Sequence, residues 1–252
     1  VLSVESLSVA PEQGAGLVAG ALAAVSFEVA GGEIYGIAGV EGNGQRELEL
    51  ALAGVIAPVA GSIRVLGAPI AEQRTRVAYI PSDGQQWGIV RDLSVAENLL
   101  LREIAAGPAL AIAATRRPGA GVTVERDIAR FNVVPPNPSL LAKRLSGGNA
   151  QKLLLARELG RAPALIVAAQ PTIGLDVASA AFVRAALRRA AEEGAAVLVI
   201  SSDLDELFEL ANRIGVMYHG AMQGEWEAAA ASLVALGAAM AGMTVRQPSA
   251  SG

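Results

Sequence analysis

Cysteine is absent from the 252 residues. Its absence excludes disulfides and thiolate metal sites and fits a reducing compartment. Histidine occurs once, at His219. Charged side chains make up 17% of the chain and apolar ones 52%, against about 25% charged in a typical soluble domain. The protein therefore buries much of itself or offers apolar surface to partners. Much of the apolar count is alanine, which favours a helix-rich fold. No purely apolar run reaches the roughly 18 residues of a spanning helix. The nearest, Ala228 to Met243, contains Ser232 and is mostly Ala and Gly, so it reads as a surface or docking helix. A net charge of −4 lacks the basic footprint of a nucleic-acid binder, and no nucleic-acid partner is expected. No secretory signal is evident, because Val-Leu-Ser-Val-Glu at the start reads as strand. Val1 in place of Met leads us to expect a chain that begins inside a longer protein.

Alternation of apolar and polar residues predicts strands in Val1 to Val9 and Val25 to Val29, separated by a flexible-looking stretch from Pro11 to Gly20. Ile34 to Ala38 reads as a short buried strand, followed by a Gly-rich turn and a helix over Glu47 to Ala53. Further strands are expected at Ser62 to Leu66 and Val77 to Ile80. Leu93 to Gly160 reads as mostly helical, broken by Gly107-Pro108 and by the Pro-rich loop Pro135 to Pro138. Strand and helix then alternate: Ala164 to Ala168, Ala178 to Glu193, Ala196 to Ser201, Leu204 to Ala211 and Ile214 to Tyr218. Such alternation implies a mainly parallel sheet covered on both faces.

Gly39-Val40-Glu41-Gly42-Asn43-Gly44-Gln45-Arg46 follows a buried strand and opens a helix, the setting of a phosphate loop. Glycines there let the backbone curl until its N–H groups face one anion at the positive end of the helix. Gly39 and Gly44 fit the G-x-x-x-x-G frame. The next two residues should be Lys and Ser or Thr, and are Gln45 and Arg46. One lysine–phosphate charge pair at about 4 Å is worth roughly 4 kcal/mol at an effective dielectric of about 20. Gln45 retains a donor but no charge. Arg46 has a charge, one position further round the helix. An ordinary Gly-rich strand-to-helix turn has the same composition.

Leu145-Ser146-Gly147-Gly148-Asn149-Ala150-Gln151 stands just before an amphipathic helix expected to run to Gly160. Ser146 is a good N-cap, and the two glycines leave the backbone open to a phosphate. This segment resembles the LSGGQ signature of ABC ATPases, in its LSGGN variant. Ala164 to Thr172 resembles the family's Walker B strand, and Gly174-Leu175-Asp176 its D-loop. Val197 to Asp203 resembles the switch strand. The motifs stand in family order over roughly Val1 to Gly224. The pairing of Gly-Val-Glu-Gly-Asn-Gly-Gln with Ala-Ala-Gln-Pro-Thr-x-Gly-Leu-Asp-Val looks like the second ATP-binding half of importers for simple sugars or nucleosides.

The resemblance implies an α/β P-loop NTPase fold of the ABC type. That means a mainly parallel core sheet, an N-terminal antiparallel β lobe and a helical signature lobe at roughly residues 92–160, all in one ATP-binding domain over 1–252. It implies nucleotide contacts from Gly39, Glu41, Gly42, Asn43, Gly44, Gln45 and Arg46, and a signature of Leu145, Ser146, Gly147, Gly148, Asn149 and Gln151. It also marks departures. Ala169 stands where an Asp holds Mg²⁺, Gln170 where a Glu acts as base, and Ser202 where a His is usual. Ala150 replaces a common Gln. Phe27 is the only aromatic in residues 1–33, so the usual adenine-stacking residue is missing. The Q-loop register is open, with Ser82 near the expected position and Gln85 and Gln86 nearby. His219 is expected in a solvated turn.

In this family nucleotide lies between two domains, one supplying phosphate loop and Walker B, the other the signature. The resemblance therefore implies weak or partner-shared ATP at this chain's own site, with Mg²⁺ only in the partner's site and no metal here. Expected partners are a second ABC domain and a membrane permease. The expected location is the cytoplasmic side of the membrane, held peripherally. Exposed-looking Trp87, beside Arg91, is the candidate permease contact. The alternative is a non-transport ABC-family module that binds or senses nucleotide without turnover.

Overall fold

The structure, a computed structural model, describes residues 1–10, 21–104 and 120–243. The expected breaks at Pro11 to Gly20 and Gly107-Pro108 lie outside the described residues, as do the side chains of Gln85 and Gln86. The described residues fall into two compact units. One comprises Val1–Tyr79, Pro163–Gln170 and the residues from Leu187 on. The other comprises Ile80–Ala162 and Pro171–Ala186.

The first unit is built on two sheets. Strands β1 (Leu2–Val9), β2 (Leu22–Val29), β4 (Ala60–Val65) and β5 (Ala68–Pro69) form an antiparallel sheet in the order β2-β1-β4-β5. The second sheet has the order β10-β9-β3-β8-β7-β6. Its strands are β3 (Ile34–Ala38), β6 (Val77–Ile80), β7 (Leu165–Ala169), β8 (Ala196–Ser201), β9 (Arg213–Tyr218) and β10 (Ala221–Glu227). The pairs β7/β8, β8/β3 and β3/β9 are parallel, and the β9/β10 hairpin is antiparallel. Strands buried on both faces need no alternation, and β3, β7 and β8 are buried at every residue.

One face of this sheet, with Tyr35 and Ile37, Val167, and Leu198 and Ile200, shares a core with Leu48 and Leu52 of the helix Gln45–Leu52. The apolar face of the antiparallel sheet belongs to the same core. In β1 the inward set shifts phase: Leu2 and Val4 are buried, and after an irregularity Leu7 and Val9 are. Ser6, at φ 47, absorbs the shift, and its N–H donates to Ser26 Oγ at 2.8 Å. A bulge of this kind adds a residue and returns the apolar side chains to the core.

In the second unit the helices Val95–Ile104, Ala120–Arg130 and Gly147–Leu159 gather round a smaller core. Ser94 and Glu97 form a reciprocal cap on the first. The Ser94 N–H donates to Glu97 Oε2 at 2.7 Å, and the Glu97 N–H donates to Ser94 Oγ at 3.2 Å. Asn98, fully buried, clamps the preceding turn. Its Oδ1 accepts the Val90 N–H at 2.9 Å, while its Nδ2 donates to the carbonyls of Val90 and Ser94 at 2.9 and 3.0 Å. The helix Gly147–Leu159 differs from the amphipathic expectation. Leu153 to Ala156 are buried in succession, and Glu158 is buried between Arg102 and Arg157, at 3.4 and 2.8 Å. Ion pairing is what admits a carboxylate there. Among the described residues no helix is long and apolar enough to cross a membrane.

Candidate nucleotide and signature sites

The phosphate loop runs from the end of β3 into the helix Gln45–Leu52. Gly44 caps that helix at φ 101, and Gly42 sits at φ 89. Both lie in the left-handed region that glycine enters at no steric cost. A Cβ on Gly44 would also press on Leu22 and Met217, at 2.8 and 3.1 Å. Asn43 ties the loop to the β9–β10 turn. Its Oδ1 accepts the His219 N–H at 2.9 Å and its carbonyl accepts the Gly220 N–H at 3.0 Å. His219 is exposed at φ 47, a turn residue as expected, with its ring edge-on to Tyr218. Glu41 is exposed on the loop.

The glycine conformations suit the phosphate-loop reading, but the two side chains that follow them serve other ends. Gln45 folds back over the strand end, its Nε2 donating to the Val40 carbonyl at 3.1 Å. A Cβ on Gly39 would collide with that amide nitrogen. Gln45 Oε1 is buried and has no hydrogen-bond partner among the described residues. Arg46 turns along the helix to Glu49, at 3.2 Å. Glu49 is buried and also accepts the Tyr79 hydroxyl at 2.5 Å. Burial, and then that hydrogen bond, hold the Tyr79 phenol well above its ordinary range. Phe27 is buried and stacks on Tyr35 with ring centroids 5.4 Å apart, so it does not face a nucleotide base.

At the end of β7, Ala169 is buried among apolar side chains. Gln170 follows at φ 45, its N–H donating to the Ile200 carbonyl at 2.7 Å. Its side-chain amide meets Ser202. Nε2 donates to Ser202 Oγ at 3.2 Å, and Oε1 accepts the Ser202 N–H at 3.4 Å. Gln170 and Ser202 are thus a neutral hydrogen-bonded pair. Neither takes a proton from water near neutral pH. A buried methyl group at 169 and a guanidinium at 46 do not suit Mg²⁺.

In the second unit the segment from Leu145 to Gln151 runs into the helix Gly147–Leu159. Ser146 is exposed, with φ −67 and ψ 161, and caps the helix Gly147–Leu159. Its Oγ accepts the Asn149 N–H at 3.4 Å and Asn149 Nδ2 at 2.9 Å. Asn149 Oδ1 accepts the Val134 N–H at 2.9 Å. A Cβ on Gly148 would collide with Ser179 Oγ. Ser179 Oγ itself donates to Asp176 Oδ2 at 2.7 Å. Asp176 also accepts the Ser179 N–H at 2.9 Å, capping the helix Val177–Glu192. That backbone bond first, and then the hydroxyl, lower the Asp176 pKa. Gln151 Nε2 donates to the Pro171 carbonyl at 3.1 Å, joining the signature helix to the turn before the D-loop. Leu145 and the replaced position Ala150 are partly and fully buried. Trp87 is 67% exposed and Arg91 is exposed. Sequence reasoning missed the folded-back Gln45, the Arg46–Glu49–Tyr79 cluster and the Asn43 tether. None carries a periodic signal.

A model of the family described as ABC transporter matches residues 22–173. The chain is 36% identical over 230 residues to the nucleoside import ATP-binding protein NupA of Lactococcus lactis subsp. cremoris. That match covers 89% of this chain and 45% of the relative. It is 34% identical over 253 residues to the guanosine import ATP-binding protein NupO of Bacillus subtilis, with 98% and 49% covered. A glucose import ATP-binding protein of Haloferax volcanii is 38% identical over 217 residues, with 79% and 38% covered. The chain thus spans less than half the length of these relatives. A solved ATP-binding subunit of an ABC transporter superposes with a TM-score of 0.74 at 22% identity, covering 96% of this chain and 99% of that one. A dimeric ATP-binding cassette bound to ADP and Pi gives 0.75 at 19% identity, covering 90% and 99%. At these identities the likeness shows the fold.

Proposed function

The chain belongs to the ABC transporter family, and on that premise we propose that it is an ATP-binding half of an importer for nucleosides or simple sugars. Its own nucleotide site does no chemistry, and its signature completes the site of a second ABC domain. The carrying observation is the contrast between the two sets of groups. Gln170 and Ser202 bond to each other and Arg46 pairs with Glu49, while Ser146 stands exposed at the start of a 13-residue helix. A helix N-terminus that begins with two glycines suits a phosphate of the partner's nucleotide.

The relatives supply the rest of the proposal. Their names specify import of nucleosides, guanosine or glucose, and they are about twice as long as this chain. The second ABC domain therefore belongs to the same polypeptide, and the pair drives a membrane permease from its cytoplasmic face. Residues 1–252 form one ATP-binding domain with the helical lobe at roughly 92–160. ATP at this chain's own loop is weak or shared, and Mg²⁺ is held only in the partner's site. Trp87 and Arg91 face the permease, and nucleic acid is no partner.

Two substitutions in the complete transporter test the assignment. Gly147→Asp sets a carboxylate against the γ-phosphate. At about 4 Å and an effective dielectric of about 20 the repulsion is roughly 4 kcal/mol, near a thousandfold in rate. Gln45→Ala costs little, because that loop already lacks its lysine. ATPase activity is the readout, after both variants are shown to assemble. Equal damage from the two substitutions refutes the inert-site reading. The isolated chain releases phosphate from ATP at background rate. Tight Mg²⁺-independent ATP binding by it would favour a nucleotide-sensing module instead.

A further inference from the structure

Val134, Asn149 and Ser146 form a short relay of hydrogen bonds. The Val134 backbone N–H has only a donor to offer, so the Asn149 atom facing it at 2.9 Å is the carbonyl oxygen. That contact fixes the amide orientation and turns Nδ2 toward Ser146 Oγ, at 2.9 Å. The same hydroxyl oxygen accepts the Asn149 backbone N–H at 3.4 Å. A serine hydroxyl has two acceptor sites and one proton. With both acceptor sites taken by Asn149, the proton takes the one remaining direction. Ser146 is exposed and its hydroxyl donates to no group among the described residues, which leaves that proton for an acceptor from outside at the N-terminus of the helix Gly147–Leu159.

We propose that Asn149 is a positioning residue: it holds the Ser146 hydroxyl with its proton directed outward, as a ready donor to a phosphate oxygen of the partner domain's nucleotide. The proposal rests on the reading that this signature serves the partner's site. Val134, in the loop after the helix Ala120–Arg130, is the fixed point of the relay. Asn149 itself need not touch the nucleotide. A residue at this position that lacks the Nδ2 donor leaves only the backbone N–H on Ser146 Oγ, so the proton has two directions open to it. A residue that accepts there pulls the proton inward.

The two cases differ in size. With one acceptor site still filled by the backbone N–H, the released hydroxyl has two of its three staggered wells open, so the release costs at most about twofold in rate. An inward-turned proton forfeits a charge-assisted hydrogen bond, about tenfold or more. The test is a double-mutant cycle on kcat/KM for ATP in the complete transporter. Asn149→Leu is expected to lower it about twofold, and Asn149→Asp about tenfold or more. Asp still accepts from Val134 and now also from Ser146. Ser146→Gly removes the hydroxyl while keeping an acceptable N-cap. On that background Asn149→Leu should have no further effect, and the cost of Asn149→Asp should shrink severalfold. Melting temperatures of all variants control for folding. Asn149→Leu as costly on the Ser146→Gly background as in the wild type would overturn the relay while leaving the signature assignment intact. So would Asn149→Asp no worse than Asn149→Leu. A silent Ser146→Gly would overturn the signature assignment itself, and the relay with it.

Discussion

Asn98 offers a quantitative test of the described packing. Replacing it with Leu conserves volume and removes every polar contact of a fully buried side chain. Most of the groups it touches keep another partner. The Val90 carbonyl still accepts the Leu93 N–H at 3.1 Å, the Leu93 carbonyl the Ala142 N–H at 2.9 Å, and the Ser94 carbonyl the Asn98 N–H at 3.0 Å. Only the Val90 N–H loses its acceptor, at a cost of about 1–3 kcal/mol. Asn98→Asp keeps that acceptor, but its second oxygen faces the carbonyls of Val90, Leu93 and Ser94. The carboxyl must therefore be protonated to fit, and its pKa in the folded state is raised. Below the unfolded-state value of about 3.9 the penalty is absent. It grows by about 1.4 kcal/mol per pH unit until the folded-state value is passed. Between pH 6.0 and 7.5 the added loss is about 2 kcal/mol. For a domain of this size that is about 4–8 °C in melting temperature. Thermal melts of wild type and both variants at the two pH values decide it. Asn98→Leu should stay a constant distance below wild type, while Asn98→Asp falls further at the higher pH. Equal losses for Asp at both pH values would refute the donor role of the amide.

Two further outcomes follow from contacts in the second unit. Gly148→Ala forces a methyl group into Ser179 Oγ and toward Asp176 Oδ2, at 3.4 Å, and overpacking of this kind costs about 1–3 kcal/mol. Melting of the purified chain measures it, and an unchanged midpoint would show that Ser179 yields freely. Trp87→Ala removes a ring that is 67% exposed, so the midpoint should move by less than about 0.5 kcal/mol, while co-purification with the permease drops at least tenfold if Trp87 is a hot spot. Undiminished co-purification would remove Trp87 from that surface.

Strands with a strong apolar signature were legible to the residue. Ile34–Ala38, Val77–Ile80 and Ala196–Ser201 stand where continuous burial predicts them. Their flanks were less so. The helix expected from Glu47 begins at Gln45, because Gly44 in its left-handed conformation starts the turn two residues earlier. The strand β10 was not expected. Its residues from Ala221 to Glu227 are mostly half-buried, and Trp226 is its one fully buried side chain, so no alternation marks it. At the candidate sites, motif spacing located each loop, but the partners of the substituted side chains were not legible. Arg46 read as a spare charge for phosphate, yet Glu49 lies one turn on in the same helix, and Tyr79 reaches it from 30 residues away. Gln170 and Ser202 are 32 residues apart and meet only because β7 and β8 are parallel neighbours.

The tether between Asn43 and His219 joins residues 176 positions apart. A loop with so distant a strap lacks it until His219 has been made. Translation at about 5–20 residues per second puts some 9–35 s between the two halves of that contact. During that interval the turn from Gly39 to Gly44 has its glycines but no hairpin to lean on. The first unit is thus closed by its last-made strands: β9 and β10 arrive after the helical segment between Ile80 and Ala162 has left the ribosome. The turn from Gly39 to Gly44 is made early and gains its strap late.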